Sequence, residues 1–192
     1  MTTPVVLNAG SGRSAHLPGV FAGWRELRLD IDPAAEPDIL ASLTDMGALG
    51  DGTVDAVWCS HVLEHLAAHE VAPALAECRR VLRGDGVGVF CVPDLRQAAT
   101  LVLEDRLEDV LYESPAGPVA ALDVIFGHRA SIARGRGHMG HRTGFTAATL
   151  GRAITSAGFA AADIWQGRLE LRALAYPTEA AAARHEGLAR RL

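Results

Sequence analysis

Lysine is absent from this chain, and all 18 of its basic residues are arginine. With 23 acidic residues the formal net charge at pH 7 is −5. That balance excludes a general electrostatic preference for nucleic acids or anionic membranes. The missing lysine, beside abundant alanine, glycine and arginine, is typical of coding bias rather than of a particular function.

Cysteine and long apolar runs are also scarce. Two of the three cysteines, Cys59 and Cys91, fall in predicted buried strands, and with Cys78 they are expected to be reduced core thiols rather than a disulfide framework. No basic leader before an apolar segment, and no apolar run of membrane-spanning length, occurs in the sequence. We therefore expect a cytoplasmic protein, and 192 residues suit one domain with an ordinary core.

Apolar runs of strand length alternate with helical segments, which predicts an α/β fold with a doubly wound, Rossmann-like and mostly parallel sheet. The predicted strands cover residues 4–9, 26–31, 38–40, 54–59 and 87–92, followed by an antiparallel C-terminal pair at 162–165 and 169–176. Helices are predicted over 67–82, with Gly84 ending the first, over 97–112, from Thr146 as N-cap to Ser156, and at the surface over 178–192. Pro18 and Gly19 predict a short or broken first crossover.

Polar turns follow the first two predicted strands. The apolar run from Val5 ends in Gly10–Ser11–Gly12, and Asp30 lies 18 residues after Gly12 at the end of the next run. Glycines let the backbone approach a ligand closely, and a carboxylate at the tip of the neighbouring strand can accept ribose hydroxyls. Asp30 or Asp32 can serve, because residues two apart in a strand point the same way. This pairing predicts a nucleoside-binding edge.

Further motifs follow in order along the chain. They are Leu7–Gly12, Asp30–Asp32, Ser60–Leu66, Arg80–Gly86 and Val92–Leu95. In the order and the residues of these motifs, the sequence resembles the class I S-adenosylmethionine-dependent methyltransferases, specifically the small bacterial type 11 group. The resemblance covers about residues 5–95 strongly and extends weakly to about residue 160.

The resemblance implies S-adenosylmethionine as cofactor and methyl transfer to a small molecule as the reaction. The cofactor-binding residues that it implies are Asn8, Gly10, Ser11, Gly12, Asp30, Ile31, Asp32, Ser42, Ser60 and His61. Asn8 stands where many relatives carry an acid. Relatives often hold the adenine amino group with an acid at the position of Ser42, so Ser42 or Asp45 would have to replace that contact.

The candidate acceptor residues lie farther along the chain, where residues 113–145 are expected to form an insert or lid. From Val124 to Ala162 there are five arginines and three histidines but no acid. This indicates either a lid that recognises an anionic group or a solvated basic loop. The candidate substrate-binding residues are Asp94, His128, Arg129, His138 and Arg142, although Asp94 could equally cap the following helix. The candidate catalytic bases are His61 and His141.

The sequence leaves other functions open. His61 with His65, or His128, His138 and His141, have spacings that suggest metal ligands, but without further ligands we expect no metal. A hydroxyl acceptor is favoured because histidines crowd the predicted pocket. The alternatives are alkyl transfer or cyclisation with S-adenosylmethionine, an NAD-binding oxidoreductase, and a non-catalytic partner with this fold. We expect a small-molecule substrate, no nucleic acid or membrane partner, and leave a homodimer open.

Overall fold

Strands and helices alternate in the computed structural model, which describes residues 2–13, 17–114 and 116–192. The strands are β1 Val5–Ala9, β2 Arg25–Asp30, β3 Ile39–Leu40, β4 Val54–Ser60, β5 Leu82–Pro93, β6 Val110–Ser114, β7 Gly117–Ala120, β8 Ala161–Gln166 and β9 Glu170–Tyr176. The helices are α1 Val71–Val81, α2 Leu95–Leu103, α3 Ala121–Phe126, α4 Arg129–Ala133, α5 Ala147–Ser156 and α6 Glu179–Arg184. Within the described ranges, none of these helices combines the length and the apolar character that crossing a membrane requires.

Seven strands form one sheet in the order β3-β2-β1-β4-β5-β9-β8. The pairs β1–β2, β1–β4, β2–β3 and β4–β5 are parallel, whereas β9 runs antiparallel to both β5 and β8. The predicted Rossmann-like sheet with an antiparallel C-terminal pair is confirmed. The chain winds outward from β1 to β3 and then returns to β4, so the carboxyl ends of β1 and β4 form the switch point at which such sheets bind ligands.

Both faces of the sheet are covered, which explains why β1 is buried along its whole length. Leu7 faces one core cluster with Leu75 of α1 and Leu150 of α5. Its neighbour Val6 faces the opposite cluster with Phe21, as the two-residue period of a strand requires. The three cysteines are buried and free, as expected.

The first crossover, between β1 and β2, is short. Among its described residues 17–24 there is no α-helix, only a single 3-10 turn at Gly19–Phe21. Phe21 packs edge-on against Trp24 and Trp58, with ring centroids 5.3 and 6.5 Å apart. The prediction made from Pro18 and Gly19 is confirmed within these residues.

The predicted helix over 97–112 is wrong in its second half. Helix α2 ends at Leu103, and residues 110–114 form β6, which pairs antiparallel with β7. Asp105 takes the left-handed conformation, with φ 58°. The Asp105 and Arg106 amides donate to carbonyls of the last helical turn, which is the Schellman type of helix end. The apolar spacing continued past this stop, and it therefore gave no sign of the strand.

Two smaller boundaries also differ from the sequence predictions. Helix α1 ends at Val81, where Leu82 turns directly into β5, so Gly84 lies within that strand rather than ending the helix. The final stretch forms only the short α6 and a 3-10 turn at Leu188–Arg191, and Ala181 of α6 is buried.

Candidate active site

The turn after β1 exposes its backbone to a cleft. Gly10 and Gly12 have φ values of 74° and 57°, which favour glycine. The amides of Gly10 and Ser11 both donate to the carbonyl of Leu29 on β2, at 2.8 and 3.0 Å. A Cβ built on Gly12 would meet no atom of the described residues within 4 Å. The turn is therefore anchored on one side and open to a ligand on the other.

Asp30 joins this glycine turn to the end of β2. Its carboxylate accepts the Gly12 amide at 2.7 Å and the Asp32 amide at 2.8 Å. An ionised carboxylate has about four acceptor positions, so Asp30 keeps capacity for ribose hydroxyls. Asp32 caps the 3-10 turn Pro33–Ala35, and Ile31 between the two acids is 66% exposed. Ile31 thus offers an apolar surface beside the carboxylate.

A cavity of about 1100 Å³ lies at this edge of the sheet. All ten residues that the sequence named for the cofactor line it: Asn8, Gly10, Ser11, Gly12, Asp30, Ile31, Asp32, Ser42, Ser60 and His61. Asp45 does not line it. The Asn8 amide nitrogen donates to Glu26 at 2.7 Å. An open glycine turn, a carboxylate and an apolar surface in one cavity fit a nucleoside cofactor.

A second cavity, of about 290 Å³, adjoins the first. His61, His65, Met139 and His141 line both, and the second is completed by residues that include Tyr112, His128, Arg168 and Glu170. His128 Nδ1 lies 2.8 Å from Ser131 Oγ, and its Nε2 is buried with no partner among the described residues. The volume and position suit a small second ligand beside the first.

His61 is held between two carboxylates at the junction of the cavities. Its Nδ1 lies 3.3 Å from Glu64 Oε1 and its Nε2 lies 3.4 Å from Glu170 Oε2, while φ is 55°. Removal from water lowers the pKa of His61, but Glu170 and then Glu64 outweigh that effect and raise the pKa to about 10. Neither ring nitrogen has a free lone pair in this arrangement.

His65 and His141 stack edge to face with ring centroids 5.0 Å apart. His65 Nδ1 lies 3.3 Å from the Gly140 carbonyl, and His141 Nδ1 lies 3.0 Å from the Val124 carbonyl. Because a carbonyl only accepts, each Nδ1 carries the hydrogen and each Nε2 keeps a lone pair. Burial lowers the pKa of His141, so this ring is neutral at pH 7.

Glu64 is a site residue that sequence reasoning missed. It reads as an acid at the start of a helical turn, yet it is only 1% exposed. Neither carboxylate oxygen has a hydrogen-bond donor among the described residues, since the His61 contact has ion-pair distance without hydrogen-bond geometry. The available signal was the run His61-x-x-Glu64–His65 directly after a buried strand. Tyr112 and Glu170 gave no local signal, because they come from distant strands.

The structure divides the predicted acceptor residues. His128 lines the second cavity, while His138 and Arg142 line the first. Arg129 pairs with Asp123 at 3.0 Å and lines neither cavity. Asp94 is fully buried and lines neither; it caps α2 by accepting the Arg96 amide and also holds the side-chain amides of Gln97 and Gln166. Of the two alternatives for Asp94, the geometry is that of the cap.

The N-terminal part of the chain matches a known family. Residues 7–90 match the family model described as a methyltransferase domain. This span covers β1 to the middle of β5 and carries the glycine turn, Asp30 and the Ser60–Leu66 segment. No curated protein matches the sequence.

Solved structures share the fold over nearly the whole chain. One is 1,6-didemethyltoxoflavin-N1-methyltransferase from Burkholderia thailandensis, solved with 1,6-didemethyltoxoflavin and S-adenosylhomocysteine, at 18% identity and TM-score 0.54, covering 92% of this chain and 72% of that one. A second is a SAM-dependent methyltransferase from Archaeoglobus fulgidus, at 14% identity and TM-score 0.59, covering 90% of this chain and 86% of that one. A third is an O-methyltransferase family protein from Burkholderia thailandensis, at 14% identity and TM-score 0.58, covering 91% of this chain but only 51% of that protein.

The family match and the shared fold support one class for this chain. Residues 7–90 match a methyltransferase domain, and nearly the whole chain has the fold of solved S-adenosylmethionine-dependent methyltransferases. Because the structural similarity lies below 25% identity, it establishes the fold, and the acceptor has to be argued from the site itself.

Proposed function

We propose that this enzyme transfers the methyl group of S-adenosylmethionine, bound in the first cavity, to a hydroxyl oxygen of a small acceptor in the second. The observation that carries the proposal is the shared wall of His61, His65, Met139 and His141. A ligand in each cavity would meet its neighbour at this wall. Methyl transfer needs this arrangement, because donor and acceptor must approach in line.

The first cavity is suited to hold the cofactor in one orientation. Asp30 would accept the ribose hydroxyls, Ile31 would cover one face of the adenine, and the Gly10–Gly12 turn would admit the remainder of the molecule. Ser42 is the lining residue proposed for the adenine amino group. When bound, S-adenosylmethionine supplies a methyl group already activated on a positively charged sulfonium.

The chain itself would contribute mainly positioning and proton handling. Alignment of two bound ligands supplies roughly 7–11 kcal/mol in favourable cases. His141 lines both cavities, and the lone pair on its Nε2 would receive the hydroxyl hydrogen; such help contributes about 10²–10⁴-fold. His61, with both nitrogens facing carboxylates, would orient the acceptor rather than take its proton.

An anionic group on the acceptor would find one partner in the second cavity. Arg168 lines this cavity and donates to the Leu111 carbonyl at 2.7 Å, with no carboxylate in ion-pair range among the described residues. Glu64 and Glu170 line the same cavity, so a polyanion would be repelled. We therefore propose an acceptor with at most one negative group, placed at the Arg168 end. The buried free thiols support a reducing compartment such as the cytoplasm.

Calorimetry with S-adenosylmethionine, S-adenosylhomocysteine and NAD tests the cofactor half of the proposal. The two adenosyl ligands should bind and NAD should not. Asp30→Asn should weaken S-adenosylhomocysteine binding about 10–100-fold, since hydrogen bonds to charged groups contribute about 1.5–3 kcal/mol. Asp45→Asn is the matched control, because Asp45 lies near Ser42 but outside the cavity. Binding of NAD alone would refute the assignment.

Transfer of a labelled methyl group to a panel of small hydroxyl, amine and thiol compounds tests the acceptor half. Preference for hydroxyl compounds with one negative group is expected, and Arg168→Gln should raise KM for those compounds more than for their neutral analogues. Methylation of amines alone would replace the proposed acceptor atom while leaving the cofactor site intact.

A further inference from the structure

Three side chains of the types that commonly bind metals lie close together at the junction of the two cavities. A carboxylate oxygen of Glu64 and one ring nitrogen each of His65 and His141 all lie within 4.8 Å of one another. Glu64 and His65 belong to the 3-10 turn Leu63–His65 after β4, whereas His141 comes from the segment before α5. We propose that these three residues bind a divalent transition-metal cation, with Zn²⁺ the favoured ion.

The buried carboxylate of Glu64 is the first independent argument for a cation. The Glu64 carboxylate is 1% exposed and has no hydrogen-bond donor among the described residues, so burial has removed its water without supplying a replacement partner. The cationic neighbour of Glu64 is His61, whose Nδ1 lies 3.3 Å from Oε1 without hydrogen-bond geometry and which is shared with Glu170; Oε2 has no partner among the described residues. A cation held beside Glu64 would supply the missing partner, and His61 would then support the ligating carboxylate from behind.

The hydrogen bonding of the two imidazoles is the second argument. Both Nδ1 atoms lie against backbone carbonyls, of Gly140 for His65 and of Val124 for His141. Metal-binding histidines characteristically donate their other ring N–H to a carbonyl or carboxylate, which fixes the tautomer and turns the remaining lone pair toward the ion. In both rings Nε2 is therefore the nitrogen that remains available to a metal ion.

The two segments that carry the ligands are fastened to each other. The amides of Arg142 and Thr143 donate to the Glu64 carbonyl at 2.8 and 3.1 Å. On its other side this segment forms a bridge between Gly127 and Gly140. A Cβ on Gly127 would lie 2.1 Å from the Met139 carbonyl oxygen, so that approach requires glycine. Backbone contacts of this kind hold a ligand set close to its binding geometry.

Two imidazoles and one carboxylate favour Zn²⁺ over Mg²⁺ or Ca²⁺, which prefer oxygen ligands. Bonds of about 2.0–2.2 Å would draw the three ligand atoms to about 3.5 Å from one another, which needs only small side-chain movements. Three protein ligands leave a fourth position open. Resting on the proposed function, that position would take the acceptor oxygen; the cation would lower the pKa of the bound hydroxyl, and its proton would pass to solvent water because His141 Nε2 would be occupied as a ligand.

Equilibrium dialysis of the full chain, stripped with chelator and returned to ZnCl₂, tests the site by metal analysis. One Zn²⁺ per chain is expected. Glu64→Gln and His141→Gln should each weaken binding at least tenfold, and His69→Gln, an exposed histidine outside the cluster, should not. Co²⁺ in place of Zn²⁺ should give a visible absorption band that the same two variants lose. Circular dichroism verifies that each variant folds. If Glu64→Gln does not fold, His141→Gln alone still tests the site.

Failure of this site and failure of the proposed function give different results. No stoichiometric binding by the unmodified chain, or binding unchanged in both ligand variants, would overturn the metal site even if methyl transfer proceeds. Stoichiometric zinc bound by these three residues, in a protein that binds no S-adenosylhomocysteine, would uphold the site and refute the proposed function.

Discussion

Replacing Gly10 or Gly12 by alanine separates backbone strain from steric contact in the cofactor turn. Both glycines have left-handed backbone, with φ 74° and 57°. An added Cβ at Gly10 would lie 2.3 Å from Val62 Cγ2 and 3.1 Å from Cγ1, whereas one at Gly12 would contact nothing within 4 Å in the part of the chain that the structure describes. The two substitutions therefore share the strain and differ in the clash.

The magnitudes follow from that difference. Left-handed backbone costs an alanine roughly 1–2 kcal/mol, which should be the whole stability effect of Gly12→Ala. Val62 is short and β-branched, so rotation brings one methyl in as the other leaves, and overpacking of this kind costs roughly 1–3 kcal/mol more. Gly10→Ala should therefore reduce the free energy of unfolding by about 2–5 kcal/mol.

Denaturant unfolding followed by circular dichroism measures these free energies. In a double-mutant cycle, the coupling energy between Gly10→Ala and Val62→Ala should be about 1–3 kcal/mol in favour of the double variant, because the smaller side chain relieves the clash. The coupling energy between Gly12→Ala and Val62→Ala should be close to zero. Gly12→Ala should still weaken S-adenosylhomocysteine binding, because its methyl group would stand in the cavity. Equal destabilisation by both substitutions, or no coupling to Val62, would refute the reasoning.

Other parts of the chain allow further tests. Burial raises the pKa of Cys78 and of Cys91 to about 12 each, so a thiol reagent at pH 8 should modify the cysteines only as fast as the protein unfolds; rapid modification of the folded protein would contradict this. A hydrogen bond from Arg80 lowers the pKa of Glu77, so its stabilising effect should be present above the ordinary glutamate pKa and lost as pH falls through the lowered one. The stability difference between the native protein and Glu77→Gln should therefore shrink below about pH 4, and a pH-independent difference would argue against it. Asp94→Ala should destabilise the protein by about 1–3 kcal/mol without changing S-adenosylhomocysteine affinity, whereas a loss of affinity would return Asp94 to the site.

The strands of the parallel sheet could be predicted because each is a short apolar run closed by a turn. Burial on both faces removes most of the polar alternation, so that Asn8 is the one polar residue in β1, and β4 has only Asp55 near its start and Ser60 at its end. Strand β6 could not be predicted in this way, because most of its side chains are partly or fully exposed. The helix before it stops at Asp105 rather than at a glycine or proline, so the stop carries little sequence signal.

The two halves of the site differ for a similar reason. Most residues of the first cavity lie at or directly after the ends of parallel strands, so they could be predicted from the strand ends and the glycines in the sequence. The second cavity draws Tyr112 from a hairpin and Arg168 and Glu170 from the turn into an antiparallel strand. Only tertiary packing brings these three residues together. Glu64 was not predicted as a site residue because its position after a buried strand does not by itself distinguish a buried carboxylate from a solvated one.

The first 66 residues supply most of the wall around the first cavity, whereas the part of the second that is not shared comes almost entirely from residues beyond 92. Under the proposed function, the chain is divided into a region that fixes the donor and a region that selects the acceptor, with His141 among the few residues that line both cavities. Substitutions and changes of length in the β6–β7 hairpin or helices α3 and α4 can accumulate during divergence without disturbing Asp30 or the glycine turn. An ancestral protein of this architecture could exchange one acceptor for another while its dependence on the same donor stayed fixed.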